Sequence, residues 1–316
     1  MPQGELRVFS GTGNPELAQE ICQHLKIPLG QMQCLRFSNE NLFVRIEENV
    51  RGADCFVVQS LSSPVNDHIM ELLIALDAFW RASAGRVTAV IPYYAYGRTD
   101  KKDQPRVPIT AKLMADLITT ARAGRVLAMD LHAEQIQGFF SVPVDHLLAA
   151  PVLAKYVAAK KFRDVVLVAP DTGSAKRVRT VAKKLHLPIA IIDKRRIGNN
   201  DISEVLYVIG DVAGMTAVIF DDEIDTGGSV VNAAEALLKA GAKEVYAAVT
   251  HAVFSGTAPQ RLNNSPIKEI IATNTLPIPA AKRFPKLTVL SVAELFASAI
   301  DGIHKESSIT KLFEGF

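Results

Sequence analysis

The sequence has little of what would place it in several large classes. It has only three cysteines, Cys22, Cys34 and Cys55, all in its first fifth. They form no CxxC pair, which argues against a zinc knuckle and a disulfide framework, and they are expected as small buried hydrophobes in a reducing cytosol. Long apolar runs are missing as well. Each breaks within a few residues, so no segment is expected to span a membrane. No secretory signal is read at the start, and a cytoplasmic location is expected. Neither sign of charge is in surplus: 35 Lys and Arg face 33 Asp and Glu, a net charge of +2. Such a balance provides no global field for nucleic acid or an acidic membrane. Two common phosphate motifs are also absent. No GxxxxGK[ST] occurs, and Gly11-Thr12-Gly13-Asn14-Pro15-Glu16 lacks the third glycine of a dinucleotide fingerprint.

What is present is a chain of 316 residues, 48% hydrophobic, enough for a buried core and suggestive of two domains. Short β-branched runs alternate with longer amphipathic stretches, the pattern of an α/β fold with mainly parallel sheets flanked by helices. Strands are expected at 6–9, 55–59, 86–92, 125–130, 165–170, 189–193, 217–221, 245–250 and 269–273. Most are continuously apolar, as strands buried on both faces are. Helices are expected at 14–25, 66–82, 109–121, 174–185, 229–240 and 292–303. Asn14 before Pro15 reads as a cap and first-turn proline, and Phe79–Trp80 close an apolar stripe expected in the core. The segment 141–151 is the best candidate boundary.

The strongest chemical signal is TAVIFDDEIDTGGSVVNAAEALLKAG, residues 216–241. A buried strand ends in Asp221 and Asp222; the turn Asp225-Thr226-Gly227-Gly228-Ser229 follows, and then a helix. Glycines let backbone amides approach a ligand, and the new helix offers unpaired N–H groups and its positive dipole end. With the Thr226 and Ser229 hydroxyls, these make a phosphate cradle. The two acids would repel a phosphate but suit sugar hydroxyls one ring-length away. If both remain extended they point to opposite faces, and one of them touches the ligand.

This element resembles the phosphoribosyl pyrophosphate loop of type I phosphoribosyltransferases. Three further segments narrow the resemblance to the ribose-phosphate pyrophosphokinase family: MDLHAEQIQGFFSVPVD (129–145), IPYYAYGRTDKKDQPR with VPITAKLMAD (91–116), and FSNENLFVRIEENVRG (37–52). The closing THAVFSG and ESSITKLFE are similar to it too, so the likeness runs over almost the whole chain. It implies two similar phosphoribosyltransferase-like domains, at 1–147 and 148–304, with a C-terminal helix at 305–316 joining the first. It also implies transfer of the β,γ-diphosphoryl group of ATP to the C1 hydroxyl of ribose 5-phosphate, with Mg2+ as cofactor. His132 and Asp171, with Asp130, would bind the metal, though magnesium prefers oxygen ligands and a lone imidazole is an unusual one. Arg98 would hold ATP phosphates and Phe37, Asn39 and Asn41 the adenine, with Glu40, Thr99 and Asp100 in the same two segments. Lys194 and Arg196, in a polar loop after a strand, would be catalytic and fold over the transferred group as a lid; Arg196 would also reach the sugar phosphate. Asp221, Asp222 and Asp225–Ser229 would hold ribose 5-phosphate. A homohexamer with the ATP site shared between subunits is implied, and Arg51, Ser308 and Thr310 match an allosteric phosphate site.

Three places depart from the commonest family pattern. Asn41 replaces an acid, and an amide can donate as well as accept, which bears on base selectivity. Thr99 replaces an amide, and Ser174 replaces a glycine after Asp171. Other readings share parts of the pattern. A phosphoribosyltransferase would need the 221–229 loop but not the Asp130–His132 segment. A non-catalytic regulatory subunit would carry altered lysine and ribose-phosphate loops, which are intact here. A nucleic-acid regulator would need a basic face or helix–turn–helix module, and neither is apparent.

Overall fold

The structure, a computed structural model, describes residues 4–196, 204–310 and 312, with the side chains of 194–196 and 204–206 outside that description. The chain forms two compact units. One holds the residues up to Leu148 with Thr275–Pro277 and the chain from Ser291; the other holds Ala149–Asn274 and Ile278–Leu290. The expected extent of the second domain included residues 293–304, and here the structure differs. Helix α8 (Ala293–His304) packs on α1 (Pro15–Leu25) of the first unit. Residues 305–310 after it are turn, bend and irregular chain, not the expected helix, and 311 and 313–316 lie outside the described residues.

The first unit is built on a fully parallel six-stranded sheet. Its strands in chain order are β1 (Leu6–Ser10), β2 (Leu29–Gly30), β5 (Asp54–Val58), β6 (Arg86–Ile91), β7 (Arg125–Met129) and β8 (Val144–Leu147), arranged in space as β2-β1-β5-β6-β7-β8. Every residue of β5 is buried, which follows from helices covering both faces. Helices α1, α2 (Val65–Arg81) and α3 (Thr110–Thr120) supply that cover, and Phe79 of α2 meets Phe9 of β1 with ring centroids 4.7 Å apart. A separate antiparallel hairpin, β3 (Met32–Arg36) with β4 (Leu42–Ile46), stands outside the sheet. Trp80 is not in the core stripe as expected. It is 49% exposed, with the Arg81 and Arg122 guanidinium carbons 5.5 and 5.0 Å from its ring centroid. Cys22 and Cys55 are buried and Cys34 half-buried; burial pushes their thiols up, to about 11 for Cys22 and about 12 for the other two.

The second unit is a seven-stranded sheet of β9 (Val165–Ala169), β10 (Ile189–Arg196), β11 (Glu204–Ile209), β12 (Thr216–Ile224), β13 (Glu244–Ala252), β14 (Ile270–Thr273) and β15 (Leu287–Leu290). The spatial order is β11-β10-β9-β12-β13-β14-β15, parallel throughout except for the β10/β11 pair. Helices α4 (Ala150–Ala159), α5 (Ala175–Leu185), α6 (Gly228–Lys239) and α7 (Ala258–Asn264) complete it. From β9 the chain runs outward through β10 to β11, then returns to place β12 on the other side of β9. The order therefore reverses between β9 and β12. In open α/β sheets such a reversal opens a crevice beyond the carboxyl ends of the two strands, where ligands bind. Among the described residues no helix is long and apolar enough to cross a membrane.

Candidate active site

At the β9/β12 reversal the second unit brings together the acid pair, the turn after it and Asp171. β12 does not stop at Phe220. Its pairing with β13 continues through Asp221↔Val249, Glu223↔His251 and Ile224↔Ala252, so both acids lie on strand residues and not beyond the strand end. The pleat alone would turn Asp221 and Asp222 to opposite faces. Instead, one guanidinium reaches both: Arg177 Nη2 lies 3.4 Å from Asp221 Oδ1 and 3.2 Å from Asp222 Oδ1. Burial first, and then the neighbouring Asp222 carboxylate, push Asp221 well above the usual carboxylate range, while Arg177 pulls it back.

After β12 the turn Asp225–Ser229 leads into α6. Gly227, at the N-cap, has φ 76°, a left-handed conformation that costs glycine least. A Cβ there would also lie 3.2 Å from Leu262 on α7. No side chain caps α6, so its first amides keep their capacity for an anion. Thr226 and Ser229 are exposed beside them. Arg261 donates from Nη1 to the Thr226 carbonyl at 2.8 Å, adding a cation that the sequence reading had not selected.

Across the crevice, Asp171 follows β9 after Pro170. Its Oδ1 accepts from the Ser174 amide at 2.8 Å, and Ser174 Oγ donates to the Asp171 carbonyl at 3.0 Å. The serine that departs from the family pattern thus ties the loop to itself, and the Asp171 side chain stays exposed. Lys194 and Arg196 lie on strand β10, in register with Leu206 and Glu204 of β11. The expected polar loop is therefore strand up to Arg196, held by antiparallel pairing. Its expected continuation, 197–200, lies outside the described residues, as do the Lys194 and Arg196 side chains.

The first unit handles its own order reversal, between β1 and β5, in another way. The Gly11–Asn14 turn follows β1, but the buried Glu71 carboxylate fills the place beside it. It accepts from the Thr12 amide at 2.6 Å, from Thr12 Oγ1 at 2.7 Å and from Gln59 Nε2 at 2.9 Å. Gln59 Oε1 in turn accepts from the Gly13 amide at 2.9 Å. A Cβ on Gly11 would lie 2.5 Å from Glu71 Oε1, so the glycine is needed for this approach. An internal carboxylate takes the bonds that a phosphate takes at a nucleotide-binding turn, which accounts for the incomplete fingerprint.

The chemistry-bearing loops of the first unit follow β6 and β7 instead. Gly97 lets the 93–100 loop lie against the next one: a Cβ on it would be 3.3 Å from that of His132. Tyr96 has φ 62°, and its hydroxyl donates to Asn66 Oδ1 at 2.8 Å. Arg98 and Thr99 face solvent, whereas Asp100 is turned inward and accepts from Gln135 Nε2 at 2.8 Å. Asp130 is buried with φ 39°, and His132 is exposed. The Leu131 amide between them donates to His146 Nε2 at 2.9 Å. Phe37 to Asn41 form the exposed tip of the β3–β4 hairpin, closed by Phe37 N to Asn41 O at 2.9 Å. Phe37 is half exposed and packs on Phe43 with ring centroids 5.6 Å apart. Arg51 is exposed in a bridge to Ala84, and Ser308 and Thr310 are exposed after α8.

The donors offered to a metal are sparse. Among the described residues no three His, Cys, Asp or Glu side chains cluster as a ligand set. His132 and Asp171 each present one exposed donor on its own unit, while Asp130 is buried. Sparse oxygen and nitrogen donors fit magnesium, which keeps waters and arrives with nucleotide phosphates, and do not fit a protein-caged ion.

Comparison with known proteins bears on the same segments. Residues 6–122 match a family model described as the N-terminal domain of ribose phosphate pyrophosphokinase, and residues 199–314 match the phosphoribosyl synthetase-associated domain. A ribose-phosphate pyrophosphokinase of Clostridium acetobutylicum is 56% identical over 311 residues, 98% of this chain and 97% of that one. One from Bacillus subtilis is 50% identical over 308 residues, with 98% and 97% covered. The crystal structure of phosphoribosylpyrophosphate synthetase from Mycobacterium smegmatis matches with a TM-score of 0.91 at 44% identity, covering 96% of this chain and 100% of that one.

Proposed function

The chain belongs to the ribose-phosphate pyrophosphokinase family and is an enzyme of that type, and from that premise we propose how its residues divide the work. The observation that carries the proposal is the acid pair Asp221–Asp222 one turn from an uncapped helix N-terminus. A sugar phosphate suits that pairing: carboxyl oxygens for ring hydroxyls, and amides for the phosphate. Ribose 5-phosphate would lie with its phosphate on Gly227–Ser229 and its hydroxyls toward Asp221. The C1 oxygen then attacks the β-phosphorus of ATP, the bond from that phosphorus to the AMP oxygen breaks, and AMP leaves. Positioning and charge do nearly all of this, as in other phosphoryl transfers. Arg98 would hold ATP phosphates, and Lys194 and Arg196 would meet the charge that builds on the transferred group. Magnesium, held by His132 and Asp171, would neutralise phosphate charge when bound. As the family resemblance implies, the chain would form a homohexamer in which this loop, with Phe37 exposed at its tip, meets adenine in a neighbouring copy. Arg51, Ser308 and Thr310 would answer to phosphate as an allosteric site.

The test is AMP release from ATP with magnesium and phosphate, with and without ribose 5-phosphate. AMP that depends on the sugar, without ADP, is the expected result; ADP formation or sugar-independent release would overturn it. A second expectation concerns the turn. In Gly227→Val, a β-branched residue at φ 76° crowds Leu262, and such strain is worth about 1–3 kcal/mol. If it is relieved by moving the turn, KM for ribose 5-phosphate rises about tenfold or more, with KM for ATP unchanged. An unchanged sugar KM would remove the turn from the phosphate site.

A further inference from the structure

Arg177 lies in the first turn of α5, within Ala175-Lys176-Arg177-Val178-Arg179, a stretch dense in cations. The structure separates it from its neighbours. Its guanidinium spans Asp221 and Asp222 at 3.4 and 3.2 Å, and the Asp222 side chain it holds is only 7% exposed against 26% for Asp221. The Asp222 amide also donates to Asp221 Oδ1, at 2.9 Å. Asp221 is thus the more exposed of the two acids and the one open to an incoming hydroxyl. Two adjacent carboxylates repel one another unless a cation lies between them, so the orientation of the pair depends on this arginine.

We propose that Arg177 is a positioning residue for sugar recognition: it clamps the acid pair so that Asp221 presents its carboxyl group to the vicinal hydroxyls of the pentose. The inference rests on the reading that the acid pair holds the ribose. It assigns Asp222 to anchoring and Asp221 to contact, with one guanidinium nitrogen, Nη2, serving both acids.

The experiment uses the full chain with Arg177→Met, Arg177→Lys and Asp221→Asn. Loss of a charge-assisted positioning contact should raise KM for ribose 5-phosphate about 10–100-fold in Arg177→Met, while KM for ATP stays within about twofold. Arg177→Lys should recover part of the loss. 2-Deoxyribose 5-phosphate, which lacks one of the two hydroxyls, serves as a competitive inhibitor. Its inhibition constant should weaken much less than KM for ribose 5-phosphate does. Equal weakening for both sugars, or a loss shared by both substrates' KM values, would mean a merely structural role and overturn the proposal. An unchanged sugar KM in Arg177→Met beside an impaired Asp221→Asn would overturn the arginine's role alone. Parent behaviour in Asp221→Asn would instead overturn the acid-pair reading beneath it. Should the methionine variant fail to fold, the lysine variant carries the same two-sugar comparison.

Discussion

Lys194→Ala is expected to reduce kcat by about 10²–10³ while the protein folds as before. The physical ground is that diphosphoryl transfer builds negative charge on the group in flight, and a positioned ammonium offsets that charge where water is excluded. Lys194 stands two residues before the end of β10, at the register of Leu206, so its backbone is fixed by strand pairing up to Arg196. A loop residue would lose activity mainly through disorder; a strand residue loses the charge alone. The variant should therefore bind ATP and ribose 5-phosphate with KM values close to the parent's and unfold at the same temperature. Initial rates of AMP release, with both substrates varied, separate these effects. Parent-like kcat would sink the assignment, and a rise in both KM values with kcat intact would make Lys194 a binding contact instead. Arg196→Lys is the useful companion. It keeps the charge but removes the fork that suits phosphate oxygens, so it should fall between the two.

What could be read from the residues was whatever repeats locally. Buried parallel strands such as β5 and β7 are continuous apolar runs, and the turn Asp225–Ser229 carries its chemistry in consecutive letters. Features set by tertiary contact were not legible. The hairpin β3–β4 is short and half exposed, and its residues form neither a continuous buried run nor a clean alternation, although its tip had been picked out by resemblance. Helix α4 opens on Ala-Pro and α7 is one short segment ending in Asn-Asn, and neither shows enough period to announce itself. β10 was cut short at Asp193 because charged residues read as loop, whereas pairing with β11 carries the strand to Arg196. Arg177 shows the limit most plainly. Five cations occupy α5, and only the position of β12 in space decides which one meets a pair of acids. Trp80 failed in the opposite sense: it sits next to the buried Phe79, and a rotation of one residue moved it from core to surface.

The same dependence on partners distant in sequence sets the largest expected loss of stability. Asp54 opens β5 and is 2% exposed. It accepts from Arg86 Nε at 2.7 Å and Nη2 at 2.6 Å on the neighbouring strand, and from His304 Nδ1 at 2.8 Å at the end of α8. Arg86 Nη2 also donates to the Ile303 carbonyl at 3.2 Å. One carboxylate therefore joins two strands to a helix some 250 residues later, all within the first unit. Asp54→Ala leaves the guanidinium facing a void, and removing one partner of a buried pair costs about 3–5 kcal/mol. Because Arg86 remains about a quarter exposed, water can reach it and the lower end of that range is expected. For a protein of this size the melting temperature should fall by about 6–12 °C. Asp301→Ala on α8 is the control: its pair with Lys305 is exposed on both sides, and such pairs contribute about 1 kcal/mol or less. A shift for Asp54→Ala no larger than the control's would show that the pair stabilises nothing. Adding Arg86→Met to Asp54→Ala should restore part of the loss, because the unpaired charge, more than the missing bond, carries the penalty. If the double variant is worse than the single one, the arginine is held by its Ile303 contact and α8 is fastened there instead.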